Sequence, residues 1–346
     1  MKKLLLLFGS GLLLMALLSS CKKNPPPDDT DIDISTSHGI FIVNEGNFQW
    51  SNASVTYYNF SNQDYREDIF RGVNNRPLGD VAQSICVYNG KAYIVVNNSN
   101  KIEVVNVSDF VSCGVIGGLS SPRYFVPVSP EKAYVSDLYS NNISIVDLNT
   151  NTITGSIPCH GSTEEMLFHE GQLIVTNTRT DKIYFINTIT DALTDSLQLG
   201  FASNSLVLDK NNKLWVMCAG DGTQNVKASL HRVDIGQMSV EQSFQLSSTL
   251  DVWDKIAINA TRDTIYYMCH GVYQLPISAD ALPGEVLIPQ GNSIFYGLAI
   301  NPFSNTIMVA DAVDYVQKGK VYYYSAAGAL QGTINAGVLP SDFYFF

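Results

Sequence analysis

The residues that could carry chemistry are few and widely spaced. Five histidines form no His-x-His or His-x-x-x-His pair, and the neighbours in Cys159-His160 and Cys269-His270 would point to opposite faces of a strand. The sequence also lacks a Gly-x-Ser-x-Gly elbow, a phosphate-binding loop and a dinucleotide-binding glycine motif. We therefore predict a binding protein rather than an enzyme, with no catalytic residue, no cofactor and no metal site. The histidines are His38, His160, His169, His231 and His270.

Composition restricts the class of protein further. Of 346 residues, 45% are hydrophobic and 15% are charged, which excludes a disordered chain and allows a large core. Lys and Arg total 21 against 32 Asp and Glu, and the net charge of −11 would repel a phosphate backbone. We therefore expect no nucleic-acid partner.

The N-terminus has the features of an export signal. Lys2 and Lys3 precede an apolar run over residues 4–18, and Leu18-Ser19-Ser20-Cys21 resembles the bacterial lipoprotein signal. The resemblance implies removal of residues 1–20 and lipidation of Cys21. Residues 21–37 are polar, with three prolines and several aspartates, and are typical of a tether. The remaining five cysteines are odd in number and lack a Cys-x-x-Cys pair, so we expect small buried hydrophobes.

A repeat of 40 to 53 residues runs through the rest of the chain. Residues 132–147 contain a short β run, a polar turn and a second β run, and residues 92–106 and 173–187 repeat this order. The residue that ends the first run can be followed seven times, at intervals of 53, 40, 40, 41, 51 and 42 residues. This period predicts an all-β, seven-bladed β-propeller over residues 38–346, without helices. The seven residues are Asn44, Asn97, Asp137, Asn177, Cys218, Cys269 and Asp311.

The two ends of the repeat region are complementary. The first unit begins at Gly39 without the strand that should precede it, and the chain ends in a single strand-like run over residues 342–346. We expect this last run to complete the first blade, because closing the ring removes exposed sheet edges.

One face of such a propeller collects polar and aromatic residues. The loops after the second strand of each blade and the loops that enter each first strand open on the same face, around the central channel. Aromatic side chains among amides and single charges make an amphipathic recognition surface there. Alternatively, the Asn and Asp residues at the blade ends only bind the backbone of their own turns. The predicted ligand-binding residues are Asn44, Phe48, Trp50, Gln83, Asn97, Arg123, Tyr124, Asp137, Tyr139, Asn177, Arg179, Trp253, Tyr296, Asp311 and Tyr315, with Glu164, Glu165, Asn204, Asp254 and Asp314 nearby.

Several of these strings resemble a known family. Residues 134–147 are similar to the bacterial YncE-like seven-bladed propellers, and the strings at 44–53, 78–84, 121–124 and 310–315 resemble surface propeller lipoproteins of Bacteroides-type bacteria. That group includes lipoproteins that bind cobalamin above an outer-membrane, TonB-dependent transporter. The resemblance implies a corrinoid ligand, a partner transporter and a lipid anchor in the outer membrane, facing the cell exterior.

Two other functions fit the same sequence. A surface scaffold that binds glycan or protein would use similar aromatic, acidic loops. A propeller hydrolase such as a lactonase would need a metal or general-base cluster at the channel mouth, where Glu164, Glu165, Asp137 and Asp311 are the only candidates.

Overall fold

The protein is described by a computed structural model covering residues 38–246, 248 and 255–346. Its strands form seven four-stranded antiparallel sheets, one for each blade. From the innermost strand outward, blade 1 consists of β28 (Pro340–Phe345), β1 (Gly39–Asn44), β2 (Ser54–Asn59) and β3 (Tyr65–Arg66), and blade 2 of β4 (Ala82–Tyr88), β5 (Lys91–Val96), β6 (Lys101–Asn106) and β7 (Ser112–Ile116). Blade 3 consists of β8 (Pro122–Pro127), β9 (Lys132–Asp137), β10 (Asn142–Asp147) and β11 (Thr152–Pro158). Blade 4 consists of β12 (Thr163–His169), β13 (Gln172–Asn177), β14 (Lys182–Asn187) and β15 (Ala192–Gln198). Blade 5 consists of β16 (Ser203–Leu208), β17 (Lys213–Cys218), β18 (Ser229–Asp234) and β19 (Ser239–Gln245). Blade 6 consists of β20 (Ile256–Ile258), β21 (Thr264–Met268), β22 (Gly271–Pro276) and β23 (Ile288–Pro289). Blade 7 consists of β24 (Phe295–Ile300), β25 (Ile307–Asp311), β26 (Lys318–Tyr324) and β27 (Leu330–Val338).

The blades form a closed ring. The innermost strand of each blade contacts the innermost strands of its two neighbours, and β28 contacts both β24 and β4. The last strand of the chain pairs with β1, from Ile40 opposite Phe345 to Asn44 opposite Pro340. The predictions of seven blades and of closure by the C-terminal strand are therefore confirmed.

Burial on both faces explains the apolar sequence of the second strands. In β1, Phe41 and Val43 pack toward blade 2, whereas Ile40 and Ile42 pack toward blade 7. Successive strand residues point to opposite faces, and each blade lies between two others, so both sets are buried. These cores between blades fix the ring and hold the loops of one face in place.

A short helix departs from the all-strand prediction. It is α1 (Ile69–Asn74), which begins after the capping side chain of Asp68 and ends at Asn75, whose φ is 52°. Its first two residues, Ile69 and Phe70, are buried against blades 1 and 2. Nothing in the sequence indicated this helix, because six residues are too few for a helical hydrophobic period to be recognised, and the all-β class is confirmed. No helix in the described part of the chain is long and apolar enough to cross a membrane.

Candidate functional site

The inner strands share an irregularity at the same end. In six blades the ladder between the innermost strand and the next skips one or two residues close to the channel face, as at Gln83, Asn204 and Tyr296. Such β-bulges redirect side chains and are common beside functional sites. The other skipped residues are Arg123, Tyr124, Glu164, Glu165 and Ser341.

The skipped residues line one central cavity of about 390 Å³. Each blade contributes at least one residue to its wall. Lys255 directly precedes β20, and Glu45 directly follows β1. The cavity therefore opens on the face predicted from the sequence. Its charged side chains are Glu45, Arg123, Glu164, Glu165 and Lys255.

An ion pair joins the inner strands of blades 3 and 4. Arg123 Nε lies 2.8 Å from Glu164 Oε2, and Nη2 lies 2.6 Å from Oε1. Nη1 of the same guanidinium donates to Gln83 Oε1 in blade 2. Burial alone would lower the pKa of Arg123, but the Glu164 carboxylate raises it. Arg123 is therefore a fixed cation that connects three blades.

A second ion pair joins blades 4 and 6. Lys255 Nζ lies 2.8 Å from Glu165 Oε1 and 3.2 Å from the Tyr124 hydroxyl oxygen. Burial opposes the charge on Lys255, but Glu165, Tyr124 and Asp342 raise its pKa well above 10.5. Asp342 itself accepts a hydrogen bond from the Ile85 N–H at 3.1 Å, and burial raises its pKa. These groups form a charged layer beside the cavity.

Among the described residues, Glu164 and Glu165 each form an ion pair in the cavity, whereas Glu45 forms none. The Tyr296 hydroxyl donates to its Oε2 at 2.9 Å. Burial raises the pKa of Glu45, and this effect exceeds the lowering by Tyr296, Arg123 and Ser341. Ser341 is buried beside Glu45, and the interaction of its hydroxyl with that carboxyl lowers the pKa of Glu45. Both groups face the cavity and can accept further hydrogen bonds.

Four aromatic side chains stand exposed on loops of the same face. Their exposed fractions are 64% for Phe48, 71% for Trp50, 71% for Tyr139 and 50% for Tyr315. They belong to the loops that follow β1, β9 and β25. Aromatic rings on loops of one face can stack on a ligand, and we call these four residues the aromatic rim.

The loops that carry the rim are fixed by hydrogen bonds. Asp80 accepts from the Gln49 N–H at 2.8 Å, and Asn47 and Asn52 bind each other across the first loop. Asn47 Nδ2 also donates to the Tyr315 carbonyl at 3.0 Å. Tyr315 has a φ of 64°, a strained conformation for a bulky residue. The rim is therefore ordered before any ligand binds.

The Asn and Asp residues at the blade ends have a different environment. Asn44, Asp137, Asn177 and Asp311 are buried and bind the backbone of loops that lead into inner strands; Asp137, for example, accepts from the Ser120 and Ser121 N–H groups at 3.0 and 2.9 Å. Asn97 is half-buried and donates to the Pro122 carbonyl. These contacts are those of the backbone-binding alternative, and we leave the five residues out of the proposed contact surface.

The structure brings together most of the remaining predicted residues. Gln83, Arg123, Tyr124 and Tyr296 line the cavity, and Arg179 is exposed on the loop after β13. Trp253 and Asp254, together with Cys21 and the tether, lie outside the described residues. Sequence reasoning missed Glu45, Lys255, Ser341 and Asp342. Aligning the last strand with the other inner strands would have placed Ser341 at the position of Gln83 and Tyr296.

Two other features were considered as sites. A groove of about 750 Å³ on the opposite face is larger, but it is lined mainly by hairpin turns of blades 4 and 5, such as residues 211–213. The central cavity instead gathers five charged side chains from four different blades. Within the described residues, no group of three or more His, Cys, Asp or Glu side chains could hold a metal ion. Three of the five cysteines after residue 37 are buried, Cys86 is half-buried and Cys113 is exposed.

Solved structures with this fold are diverse. A quinoprotein alcohol dehydrogenase-like protein from Bacteroides thetaiotaomicron is similar with a TM-score of 0.69 and 15% identity, over 89% of this chain and 78% of that one. Hydrazine synthase from Kuenenia stuttgartiensis has a TM-score of 0.61 and 12% identity, over 75% of this chain and 88% of that one. The computationally designed Ika8 protein has a TM-score of 0.60 and 12% identity, over 88% and 87%. At these identities the likeness concerns the fold alone.

Comparison with curated proteins gives no match. The family described as a domain of unknown function, DUF5074, matches residues 38–346, which is the whole propeller. The chain is therefore a seven-bladed β-propeller of the DUF5074 family.

Proposed function

We propose that this protein is a surface lipoprotein that captures a corrinoid on its channel face and passes it to an outer-membrane TonB-dependent transporter. The observation that carries the proposal is the presence of the aromatic rim and the charged central cavity on one face, with Tyr315 belonging to both. In this role the protein is a binding protein, and the chemistry that the cavity supplies is recognition rather than catalysis.

The shape and polarity of a corrinoid suit this face. A corrin is a broad, partly apolar disc with amide groups around its edge. The cavity of about 390 Å³ lies at the small end of the range for small-molecule sites, so the disc would lie on the rim rather than inside the cavity. Aromatic rings would stack on the disc, and Gln83, Arg123 and Tyr296 would meet its polar edge. A fixed rim lowers the ordering cost of binding and favours high affinity.

The position of the proposed anchor is compatible with this arrangement. β1 runs from Gly39 on the opposite face to Asn44 on the channel face, so the described chain begins at the end of the strand away from the rim. A tether that links residue 38 to a lipid on Cys21 would leave the rim accessible to ligand. Mass spectrometry of the protein from bacterial membranes tests this part: a diacylglycerol-modified Cys21 at the N-terminus is expected, and an unmodified Cys21 would contradict it.

Glycan binding is the second candidate, because exposed aromatic rings also stack on sugar rings. The rim rings stand on loops of blades 1, 3 and 7, which suits a ligand as broad as a corrin better than a single sugar ring. Gel filtration after mixing the protein with cyanocobalamin separates the two. We expect the corrin absorbance to elute with the protein, and soluble starch or mucin glycan not to compete. Elution of all the corrin at its free position would contradict the proposal.

A further inference from the structure

The cavity contains both hydrogen-bond acceptors and donors that can accommodate a ligand group. Glu45 accepts one hydrogen bond of ordinary geometry within the described residues, from Tyr296, which leaves most of its acceptor positions for a ligand. On the donor side, a guanidinium has five N–H groups, and the contacts of Arg123 with Glu164 and Gln83 use three of them.

Glu45 and Arg123 share one cavity and interact through their charges. Both line the same cavity, and Arg123 lowers the pKa of Glu45 through its charge. Ser341 is buried, faces the same cavity and interacts with Glu45. A ligand group that donates on one side and accepts on the other would bind both Glu45 and Arg123.

The charge of the cavity decides which ligand group fits. Three carboxyl groups, Glu45, Glu164 and Glu165, line the cavity with two cations, and Arg123 and Lys255 already pair with Glu164 and Glu165. A carboxylate on the ligand would be repelled by this excess of like charge. An ammonium would satisfy Glu45, but it would offer no acceptor to Arg123. A primary carboxamide offers two donors and an acceptor without charge.

We propose that one primary carboxamide at the edge of the bound corrinoid enters the central cavity, donates its NH₂ group to Glu45 and accepts from Arg123. This inference rests on the proposed function and specifies how the ligand is oriented. In this arrangement the cavity binds a corrinoid with the carboxamide in preference to the same corrinoid with a carboxylic acid at that position.

A set of titrations tests the inference. Cyanocobalamin and each of its monocarboxylic acids, in which one side-chain amide is hydrolysed to the acid, are titrated into wild-type protein and into Glu45→Gln. We expect one of the acids to bind wild-type protein at least tenfold more weakly than cyanocobalamin. The same acid should lose less than threefold in Glu45→Gln, because the neutral amide of the variant removes the repulsion. Glu131→Gln, an exposed residue on the opposite face, is the matched control and should behave as wild type.

The outcomes separate this inference from the proposed function. If cyanocobalamin binds and every acid binds equally well, the carboxamide pocket is wrong and corrinoid capture stands. If no corrinoid binds, corrinoid capture fails, and the pocket is tested with benzamide and benzoate by saturation-transfer NMR. A signal from benzamide that exceeds that from benzoate in wild-type protein, and that is lost in Glu45→Gln, supports the pocket. Equal signals, or no signal from either probe, overturn it.

Discussion

The guanidinium of Arg123 contacts both carboxylate oxygens of Glu164 in the neighbouring blade, at 2.8 Å and 2.6 Å. Glu164 is 6% exposed, so the guanidinium of Arg123 takes the place of solvent around its carboxylate. The pair thus joins two inner strands and also supplies the donor side of the cavity. The same contacts therefore stabilise the ring and shape the cavity, so a substitution of Arg123 should change both the stability of the protein and the cavity.

Replacing Arg123 tests this dual role. Arg123→Met leaves the Glu164 carboxylate buried without its cation, which costs about 3 kcal/mol for a partly buried pair. We expect urea unfolding to show a loss of this size and the double variant Arg123→Met/Glu164→Gln to regain part of it. Arg179→Met, on the exposed loop of the same face, should change the free energy of unfolding by less than about 0.5 kcal/mol. An Arg123→Met protein as stable as wild type would contradict the assignment.

The aromatic rim makes a separate prediction about affinity. Trp50→Ala and Tyr315→Ala each remove a ring that would stack on the ligand, and each should weaken cyanocobalamin binding more than tenfold, or about 1.4 kcal/mol. Phe303→Ala is the matched control, because Phe303 is 67% exposed on the opposite face. Fluorescence titration measures all three. Unchanged affinity in both rim variants would move the binding site away from this face.

Ring closure is tested by truncation. Removal of residues 340–346 deletes β28 and its pairing with β1, and it removes the Phe346 ring from its position 4.5 Å from the centroid of Phe41. An open blade exposes two sheet edges and apolar surface, so we expect loss of cooperative thermal unfolding and aggregation. The comparison is Leu330→Ala at an exposed position of β27, which should melt as wild type does. A truncated protein with an unchanged melting curve would exclude closure by the last strand.

A buried histidine predicts a pH dependence of stability. His231 lies between the hydroxyls of Ser229 and Ser243, at 2.9 and 2.8 Å, and burial lowers its pKa from 6.5 to about 4. Below pH 6.5 the unfolded chain binds a proton that the folded protein does not. Stability is therefore lost as the pH falls from 6.5 toward 4, by up to about 3 kcal/mol.

Comparison with His231→Gln isolates this contribution from the carboxyl groups that titrate in the same range. We expect the free energy of unfolding of the wild-type protein to fall more steeply between pH 6.5 and 4 than that of the variant. Parallel pH profiles would show that His231 is not the group responsible.

The ring could be predicted from the sequence because each repeat unit corresponds to one blade. Each second strand ends in a recognisable residue, and the unpaired strand-like run at residues 342–346 indicated closure. The cavity was harder to predict because it depends on bulges, where two consecutive residues, such as Glu164 and Glu165, face the channel against the alternation of a regular strand. Glu45 follows the end of a strand and Lys255 precedes the start of one, so neither occupied a repeat position that could be aligned.

The environment of the Asn and Asp residues at the blade ends was also difficult to predict. Asn and Asp at the ends of strands matched a binding surface in type and position, yet Asn44 and Asp137 are buried and bind loop backbone. Burial of these side chains depends on how the loop into each inner strand folds over them, and a strand pattern carries no information about that.

The most direct test of the central claim is calorimetric titration of cyanocobalamin into protein that begins at residue 22. The account predicts binding at a ratio of one to one with submicromolar affinity, weakened more than tenfold in Tyr315→Ala. No heat of binding at micromolar protein concentration would contradict corrinoid capture and leave the fold as the established part of the account.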